Sequence, residues 1–482
     1  MSIGQNVFKS SSLLIGIKFS HRLIGLISIL VLARLLVPED FAMVALVSMT
    51  IHFFDILGNV GSEQYIIQKE QVSNDDLNSA FTIDLIIKTL LFLALVLASP
   101  WAADFFRQPD LEFALYAASS VLLINALKNP GIYLLKQNFD YTAFFWLSVV
   151  QKIVSFIIAI TIAVEFRTYW ALIIADIAAS VVMTMGTYFI HAHRPTFCLK
   201  NFKPQWDFSQ WLVLKGVVGY TRSQIDTFLV SRFFPAAQLG QYYMARDIAM
   251  IPSHNLMQPA IEPLLAAFKH TRNDQTNLET NINLSLWVVA TLTIPLAIFV
   301  WFFSAPIIHV LLGDKWLPAH PLLAVMSLLF LYFSFIQVAE QVLLALTKTK
   351  ALFIYDLFSL VLISAVLFYF TYLELSEFAL MRGLLGIFTT LIIYLYLARF
   401  IKVMNIRLVF YIAILSILGL GTGSILISAF EQMAIPVLIE LVCVTLIYFS
   451  FIGVVLYLAT KIMKIKELNE LLLFIPLERF KG

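Results

Sequence analysis

Long apolar runs separated by short polar breaks follow one another along the whole chain. A helix that spans a membrane needs about 20 mostly apolar residues, and runs of that length occur fourteen times. They cover roughly residues 13–37, 41–66, 78–99, 111–135, 142–164, 168–191, 209–234, 239–267, 283–303, 320–346, 351–373, 376–398, 408–430 and 435–460. The pattern therefore predicts an all-α polytopic membrane protein with about 14 transmembrane helices.

Three of these runs carry several charges and are weaker candidates for spanning helices, namely 41–66, 209–234 and 239–267. The breaks between runs are short, so no extramembrane domain is expected. The first run is too long and too charged for a cleavable signal peptide, because it contains Lys18 and Arg22.

The composition agrees with the apolar pattern. Hydrophobic residues make up 60% of the 482 residues and charged residues 13%, whereas soluble proteins carry about 45–50% and about 25%. These values disfavour a cytoplasmic enzyme, a nucleic-acid binder, a disordered chain and a disulfide scaffold. The two cysteines, Cys198 and Cys443, form no metal-binding spacing and are interpreted as core residues.

The distribution of basic residues predicts the orientation. If the N-terminus is cytoplasmic, 18 of the 32 basic residues fall on the cytoplasmic side of the predicted spans and five on the other side. Such a bias follows the positive-inside rule, so both termini are expected in the cytoplasm. The tail after residue 460 is either an amphipathic helix or a solvated segment.

An internal repeat is visible at the end of the first and seventh spans. Residues 32–44 read LARLLVPEDFAMV and residues 230–242 read VSRFFPAAQLGQY, so that Arg34 matches Arg232 at an offset of 198. Repeats of this kind are typical of transporters. The repeat predicts four segments: an N-terminal lobe of spans 1–6 (1–200), a C-terminal lobe of spans 7–12 (201–405), spans 13–14 (406–460) and a cytoplasmic tail (461–482).

Charged and polar residues within the spans concentrate on spans 1, 2, 7 and 8. A charge at the bilayer centre costs about 2.5–3.5 kcal/mol on insertion scales, so such residues normally face a bundle interior or a wet cavity. Helical phase places them on common faces and predicts a central hydrophilic cavity, with spans 13 and 14 outside it. The candidate substrate-binding residues are Lys18, Arg22, His52, Asp55, Asn59, Lys215, Arg222, Asp226, Arg246, Asp247, His254 and Gln258.

Five of these candidates are cationic and suit a phosphate or pyrophosphate group, because Lys and Arg offer charge-assisted hydrogen bonds. Internal pairs such as Arg222 with Asp226 remain an alternative. Asp84 and Lys88 are four residues apart and are expected to pair with each other. Three isolated acids are interpreted either as proton or cation sites or as interhelical hydrogen-bond partners: Asp176, Glu340 and Asp356.

Span 8 contains Pro252, Pro259 and Pro263, and each proline removes a backbone hydrogen bond. The broken helix is either a gating element or a static kink. No enzyme motif is present, neither a phosphate-binding loop, nor GxSxG, nor HExxH. We therefore expect no catalytic residue, metal or cofactor, apart from a coupling ion that would be H⁺ or Na⁺.

Several segments resemble one protein family. They are LARLLVPEDFAMVAL after the first span, GNVGSEQYIIQKEQVS at the end of the second, FLVSRFFPAAQLGQYYMARDIAMIP, and LLGDKWLPAHPLL before the tenth. These resemble the Wzx-like polysaccharide flippases, the polysaccharide-transport members of the multidrug/oligosaccharidyl-lipid/polysaccharide exporter superfamily. Ala42 departs from the family pattern, which has glycine there.

The resemblance implies a V-shaped fold of two six-helix lobes plus two C-terminal helices, working by alternating access. It implies a substrate of undecaprenyl-pyrophosphate-linked oligosaccharide that crosses the bacterial inner membrane for O-antigen, capsule or exopolysaccharide synthesis. The implied partners are membrane lipid, a polysaccharide polymerase and chain-length machinery. The family motifs are structural turns, so the binding residues above rest on helical phase alone.

Two other functions remain open at this point. A cation-coupled multidrug exporter would have the same fold, although its cationic substrates favour acids over the bases found here. A membrane glycosyltransferase or polymerase is disfavoured, because the external loops are short.

Overall fold

The computed structural model describes residues 3–138, 140–401, 406–430, 433 and 435–463. Every regular element in these ranges is a helix. The predicted tail lies outside them, apart from the last turn of the final helix. The helices are α1 (Ile3–Leu35), α2 (Pro38–Gly58), α3 (Ser62–Gln68), α4 (Asn74–Phe106), α5 (Leu111–Ala126), α6 (Ile132–Gln137), α7 (Thr142–Phe166), α8 (Trp170–Ile190), α9 (Phe202–Phe233) and α10 (Ala236–Pro252), followed by α11 (Gln258–Ile261), α12 (Leu264–Thr271), α13 (Gln275–Phe302), α14 (Ser304–Leu312), α15 (His320–Ala345), α16 (Thr349–Tyr369), α17 (Leu375–Leu397), α18 (Ile406–Phe430) and α19 (Val437–Met463).

All fourteen predicted spans coincide with helices, and the all-α membrane fold is confirmed. Within the described residues, eleven helical segments are long and apolar enough to cross a membrane. The charged helices α9 and α10, which cover two of the three weak runs, are not among them. The third weak run contains α2, which does qualify, whereas α5 is a shorter apolar helix of 16 residues.

The chain divides into two compact units, unit 1 (Met1–Gly240) and unit 2 (Gln241–Gly482). Helix α9 contacts α2, α3 and α4 of unit 1. The predicted division into lobes of residues 1–200 and 201–405, with spans 13–14 (406–460) and a tail (461–482), stays a prediction.

Helix ends follow local sequence signals. The first turn of α2 contains Pro38, and the Asp40 carboxylate accepts a hydrogen bond from the Val37 backbone N–H at 3.1 Å. Ser73 caps α4, and the Asp76 carboxylate accepts a hydrogen bond from the Ser73 backbone N–H at 2.9 Å. Proline suits a first turn because it has no N–H, and a reciprocal Ser–acid pair satisfies two free N–H groups.

The two repeated junctions have the same form. Helix α1 ends at Leu35 and α2 begins at Pro38, while α9 ends at Phe233 and α10 begins at Ala236. Both pairs of positions are separated by 198 residues, the offset found in the sequence. The motif therefore encodes a two-residue break between consecutive helices.

The three prolines of the eighth span break it into short pieces. Pro252 ends α10, a π-helical turn covers Ser253–Met257, and α11 follows with Pro259 in its first turn. Pro263 then precedes α12. The predicted interruption of this span is confirmed, because each missing proline N–H ends the regular hydrogen-bond ladder.

Unit 2 has an extensive apolar core built mainly from α13, α15, α17 and α18. The Trp287 ring stacks on Tyr411 with centroids 4.1 Å apart, and the Tyr411 hydroxyl lies 2.7 Å from the Thr291 hydroxyl. Helix α19 joins this core where the Tyr448 hydroxyl donates to the Pro295 carbonyl at 3.0 Å.

Gly240 provides a test of the packing at the start of α10. A Cβ atom there would overlap the backbone carbonyl of Pro38, whereas a Cβ on Gly219 in α9 would meet nothing within 4 Å. We expect Gly240→Ala to lower the stability of the folded protein by about 1–3 kcal/mol, because a backbone atom cannot rotate away. Thermal unfolding of the purified protein in detergent measures the difference.

Gly219→Ala is the matched control, because alanine favours a helix over glycine by about 1 kcal/mol. It should leave the melting temperature unchanged or raise it. Equal melting temperatures for both variants would contradict the close approach of α10 to Pro38.

Candidate functional site

Two adjoining polar cavities lie inside unit 1. The first has a volume of about 280 Å³ and the second of about 290 Å³, and both are lined by Asp55 and Asn125. In a membrane protein, polar side chains that converge on internal space mark hydrated or ligand-binding regions. These cavities are therefore the candidate functional site of unit 1.

The first cavity contains equal numbers of acidic and basic side chains. It is enclosed by residues of α2 to α8. The charged residues that line it are Asp55, Glu63, Asp84, Lys88, Lys128 and Lys136. The mixture makes it a charge-balanced polar chamber rather than a site of one sign.

Short hydrogen bonds organise the wall of the first cavity. The Ser62 hydroxyl donates to the Asp84 carboxylate at 2.6 Å and accepts from the Gln205 side-chain amide at 2.6 Å. Nearby, Lys136 forms an ion pair with Glu63 at 2.8 Å. Ser62 therefore joins α4 to α9 through α3.

Asp84 was expected to pair with Lys88, but its hydrogen-bonding partner is Ser62. Lys88 acts on Asp84 electrostatically from one helical turn further along α4. Lys88 is a neighbour of Asp84 on the same helix, whereas Ser62 reaches Asp84 because folding places α3 against α4.

The second cavity is lined by α2, α5, α7 and α8. His52 Nδ1 donates a hydrogen bond to the Ser48 carbonyl at 2.7 Å, which fixes the ring on the preceding helical turn. Asp176 and Gln151 face the same space, and Lys152 attracts the Asp176 carboxylate electrostatically. The two interpretations of Asp176, as a proton or cation site or as an interhelical hydrogen-bond partner, stay predictions.

Three of the twelve candidate residues line these cavities. They are His52, Asp55 and Asn59, which the polar stripe of α2 predicts at successive helical turns. The structure thus brings this stripe together with polar residues of α4, α5, α7 and α8.

The other candidates in unit 1 lie elsewhere on α1 and α9. Their exposure falls along α9, where Lys215 is exposed, Arg222 is half-buried and Asp226 is fully buried. On α1, Lys18 is exposed and Arg22 half-buried. Their predicted contact with substrate stays a prediction.

The four candidates in unit 2 lie on α10 and the broken segment after it. Arg246 is half-buried and Asp247 exposed. The His254 ring meets Phe333 edge-to-face at 6.2 Å, and the Gln258 amide donates to Glu262 at 3.2 Å. The last contact joins two residues that the sequence placed on one face.

Sequence reasoning missed Asn125 and Gln151, the uncharged polar residues of the cavities. Both are single uncharged amides within apolar runs, so they are not part of any charge pattern in the sequence. Glu63 and Lys136 form an ion pair across 73 positions of the sequence, and no local signal connects them. The polar segment GNVGSEQ at the end of span 2, which contains Glu63, gave an indication of one partner only.

Unit 2 contains a different kind of cavity. It has a volume of about 490 Å³ between α13, α15, α17 and α18, and no charged side chain lines it. Its polar lining consists of Ser327, Tyr332, Thr390, Tyr394 and Ser416. Its uncharged lining differs from the charged wall of the first cavity, although unit 1 also has an apolar cavity of about 380 Å³ between α2, α4 and α9.

Ser62 provides a test of the cavity wall. Ser62→Ala removes the group that bonds both Asp84 and Gln205, and leaving a buried polar partner unsatisfied costs about 1–3 kcal/mol. We expect a lower melting temperature for the purified protein in detergent.

The control is Ser428→Ala, since the Ser428 hydroxyl is exposed and bonds to the Ser424 carbonyl of its own helix at 2.7 Å. Equal melting temperatures for Ser62→Ala and wild type would contradict the bridging role.

The known proteins of similar sequence described next are named for polysaccharide biosynthesis. The family described as polysaccharide biosynthesis protein matches residues 31–321. The lipopolysaccharide biosynthesis protein WzxC of Escherichia coli (strain K12) is 23% identical over 317 residues, which are 64% of each chain. The succinoglycan biosynthesis transport protein ExoT of Rhizobium meliloti (strain 1021) is 21% identical over 63% of this chain and 62% of its own. The matched region thus spans less than two thirds of these relatives.

Solved structures share the fold over most of the chain. The lipid II flippase MurJ in an inward closed conformation gives a TM-score of 0.76 at 17% identity, covering 92% of this chain and 98% of its own. An inward-facing multidrug resistance MATE transporter of the MOP superfamily gives 0.59 at 13% identity, covering 86% and 96%. The fold is therefore that of membrane transporters.

The resemblance seen in the sequence motifs is confirmed, because the matched family region contains the first three motifs and most of the fourth. The chain is a multi-pass membrane protein that belongs to the polysaccharide biosynthesis protein family.

Proposed function

We propose that the protein is a flippase that moves undecaprenyl-pyrophosphate-linked oligosaccharide repeat units across the bacterial inner membrane by alternating access. The family match over residues 31–321 carries this proposal. The transporter fold and relatives named for polysaccharide biosynthesis support it. The product would supply O-antigen, capsule or exopolysaccharide synthesis, with a polymerase and chain-length machinery as partners.

The pyrophosphate group would bind to cationic residues on helices α1 and α9. Lys18 and Arg22 lie on α1, and Lys215 and Arg222 lie on the more polar α9. Charged residues within membrane helices normally face a bundle interior or a water-filled cavity. Arginine and lysine form charge-assisted hydrogen bonds with phosphate oxygens. The candidates of unit 2, which are Arg246, Asp247, His254 and Gln258, stay predictions as substrate-binding residues.

The polar cavities of unit 1 would hold the coupling ion, H⁺ or Na⁺. Asp55 lines both cavities, and Asp176 lines the second. A carboxylate in such a chamber exchanges a proton or cation with water. The sugar moiety would meet polar side chains, such as the exposed His52 and the half-buried Gln258.

A second candidate function is a cation-coupled multidrug exporter, which the MATE-like fold favours. The sequence family argues for the polysaccharide substrate instead. Cationic drugs would also be repelled by the bases on α1 and α9.

Neutralising two arginines tests the pyrophosphate site. Arg22→Gln combined with Arg222→Gln should reduce transport about 100-fold, because each lost charged hydrogen bond costs about 1.5–3 kcal/mol. Surface polysaccharide in a strain that lacks its own flippase measures the loss. Protein level in the membrane is compared by immunoblot.

The matched control is Arg22→Lys with Arg222→Lys, which retains both charges and should keep a substantial part of the transport. Wild-type polysaccharide in the neutralised double variant would rule out the cationic site. Drug efflux without polysaccharide transport in the unmodified chain would favour the exporter instead.

Cysteine labelling tests the proposed orientation, with both termini in the cytoplasm. Val37 is 45% exposed at the start of α2 and Glu70 is exposed after α3. With Cys198 and Cys443 replaced by Ser, Val37→Cys should react in intact cells with a thiol reagent that cannot cross the inner membrane. Glu70→Cys should react only after that membrane is opened. The reverse pattern would overturn the orientation.

A further inference from the structure

Helices α16 and α17 of unit 2 contact each other, and each exposes one stripe of apolar side chains. A short turn joins them, so they run in opposite directions. The members of each stripe are three or four residues apart, which places them on one face of the helix. The stripes, between 46% and 63% exposed, are Ile354, Phe358 and Val361 on α16 and Phe388, Leu391 and Leu395 on α17. Exposed apolar surfaces of this kind mark contact with lipid or with another protein.

A basic residue continues each stripe at the same end of the helix pair. Lys350 precedes Ile354 by four residues, and Arg399 follows Leu395 by four residues. Both basic residues are exposed. Because α16 and α17 are antiparallel, the start of the first helix and the end of the second lie at the same end.

A third base, in the turn before α16, provides direct evidence that these two helix ends are close. The Lys348 Nζ is 3.2 Å from the centroid of the Phe400 ring, and Phe400 is the residue after Arg399. The Phe400 ring in turn meets Tyr396 of α17 with centroids 5.4 Å apart. A cation over an aromatic face is a favourable contact, so Lys348 is held against the end of α17.

The backbone at Lys348 is fixed by a helix-end motif. The Thr347 N–H donates to the Leu344 carbonyl at 3.0 Å, and the Lys348 N–H donates to the Leu343 carbonyl at 2.8 Å. Thr347 has a φ of 58°, in the left-handed region that this motif requires and that a β-branched residue rarely adopts. The turn therefore presents Lys348 in a defined position.

The three bases form a local surplus of positive charge. In the part of the chain that the structure describes, no carboxylate forms an ion pair with Lys348, Lys350 or Arg399. The sequence has no Asp or Glu in residues 341–355 or 378–430. Three lysines of unit 1 differ from them, because each pairs with a carboxylate at 2.6–2.9 Å, namely Lys69, Lys136 and Lys200.

The other end of the same helix pair has the opposite charge. Glu374 and Glu377 are exposed there, together with the rings of Tyr369 and Tyr372. Tyrosine is common where a membrane helix meets the lipid headgroups. An anionic headgroup is therefore attracted to the basic end of the pair and repelled from the acidic end.

We propose that Lys348, Lys350 and Arg399 bind the phosphate headgroup of an anionic phospholipid, whose acyl chains lie along the stripes of α16 and α17. Lysine and arginine form charge-assisted hydrogen bonds with phosphate oxygens. The apolar stripes that continue from the bases favour a lipid over a soluble phosphate. With both termini in the cytoplasm, as proposed, the site lies in the cytoplasmic leaflet. This site is separate from the transported substrate, so its test needs no transport assay.

Lipid binding by a triple variant tests the site. The full chain is purified in a neutral detergent and titrated with phosphatidylglycerol, and the bound lipids are counted by native mass spectrometry. We expect Lys348→Gln, Lys350→Gln and Arg399→Gln together to weaken binding of the first phosphatidylglycerol about tenfold or more, because each base near an anionic headgroup adds to the attraction. Binding of zwitterionic phosphatidylcholine should change less than about twofold.

A control for net charge removes three exposed bases of unit 1 by Arg107→Gln, Arg167→Gln and Lys203→Gln. It changes the total charge equally and should leave phosphatidylglycerol binding as in the wild type. Thermal unfolding in detergent without lipid shows whether each variant is folded. If the triple variant does not fold, the exposed Lys350→Gln alone should still weaken binding about twofold or more.

A second control retains the charges by Lys348→Arg, Lys350→Arg and Arg399→Lys, and should bind phosphatidylglycerol as the wild type does. Equal phosphatidylglycerol binding by the wild type and the folded glutamine variants would overturn the site. An equal loss in the unit 1 control would do the same, because net charge alone would then explain the effect. Displacement of the lipid by soluble glycerol phosphate at equal concentration would identify a site for a free phosphate group instead.

Discussion

The cost of placing polar groups in a membrane is the constraint on which the rest of this structure depends. Each backbone N–H and C=O needs a partner within the protein, and each charge must find a partner or a wet space. Apolar helices satisfy the first demand by themselves. The second demand decides where the few charges of this chain lie, and it makes the interior of unit 1 unlike that of unit 2.

Unit 1 contains the polar interior. Asp55 and Asn125 line both of its polar cavities. The wall of the first cavity contains three carboxylates and three lysines. Ser62 links the wall to α9 through Asp84 and Gln205. Unit 2 instead surrounds an apolar cavity and a continuous aromatic and aliphatic core.

The segment between α8 and α9, residues 191–201, shows how irregular backbone is accommodated in a helical membrane protein. Its N–H groups donate to Asn78, Ser79 and Thr82, which take the place of a neighbouring helix turn or strand. These three residues gave no signal in the sequence, because short polar side chains at the start of a helix usually indicate capping. Their partners lie more than 110 positions away, where no local periodicity reaches.

The sequence by itself determined the elements. Apolar run length defined all fourteen major helices, the repeated LAR and SRF junctions marked two matching helix breaks, and the prolines of span 8 marked its interruptions, because each depends on neighbouring residues alone. The polar stripe of α2 likewise indicated His52, Asp55 and Asn59. Only the tertiary structure decided which helices share a cavity, that Asp84 bonds Ser62 rather than Lys88, and that α9 lies against α2 and α4. Those outcomes depend on groups far apart in sequence, whose approach is fixed by packing and by the need to pair buried polar atoms.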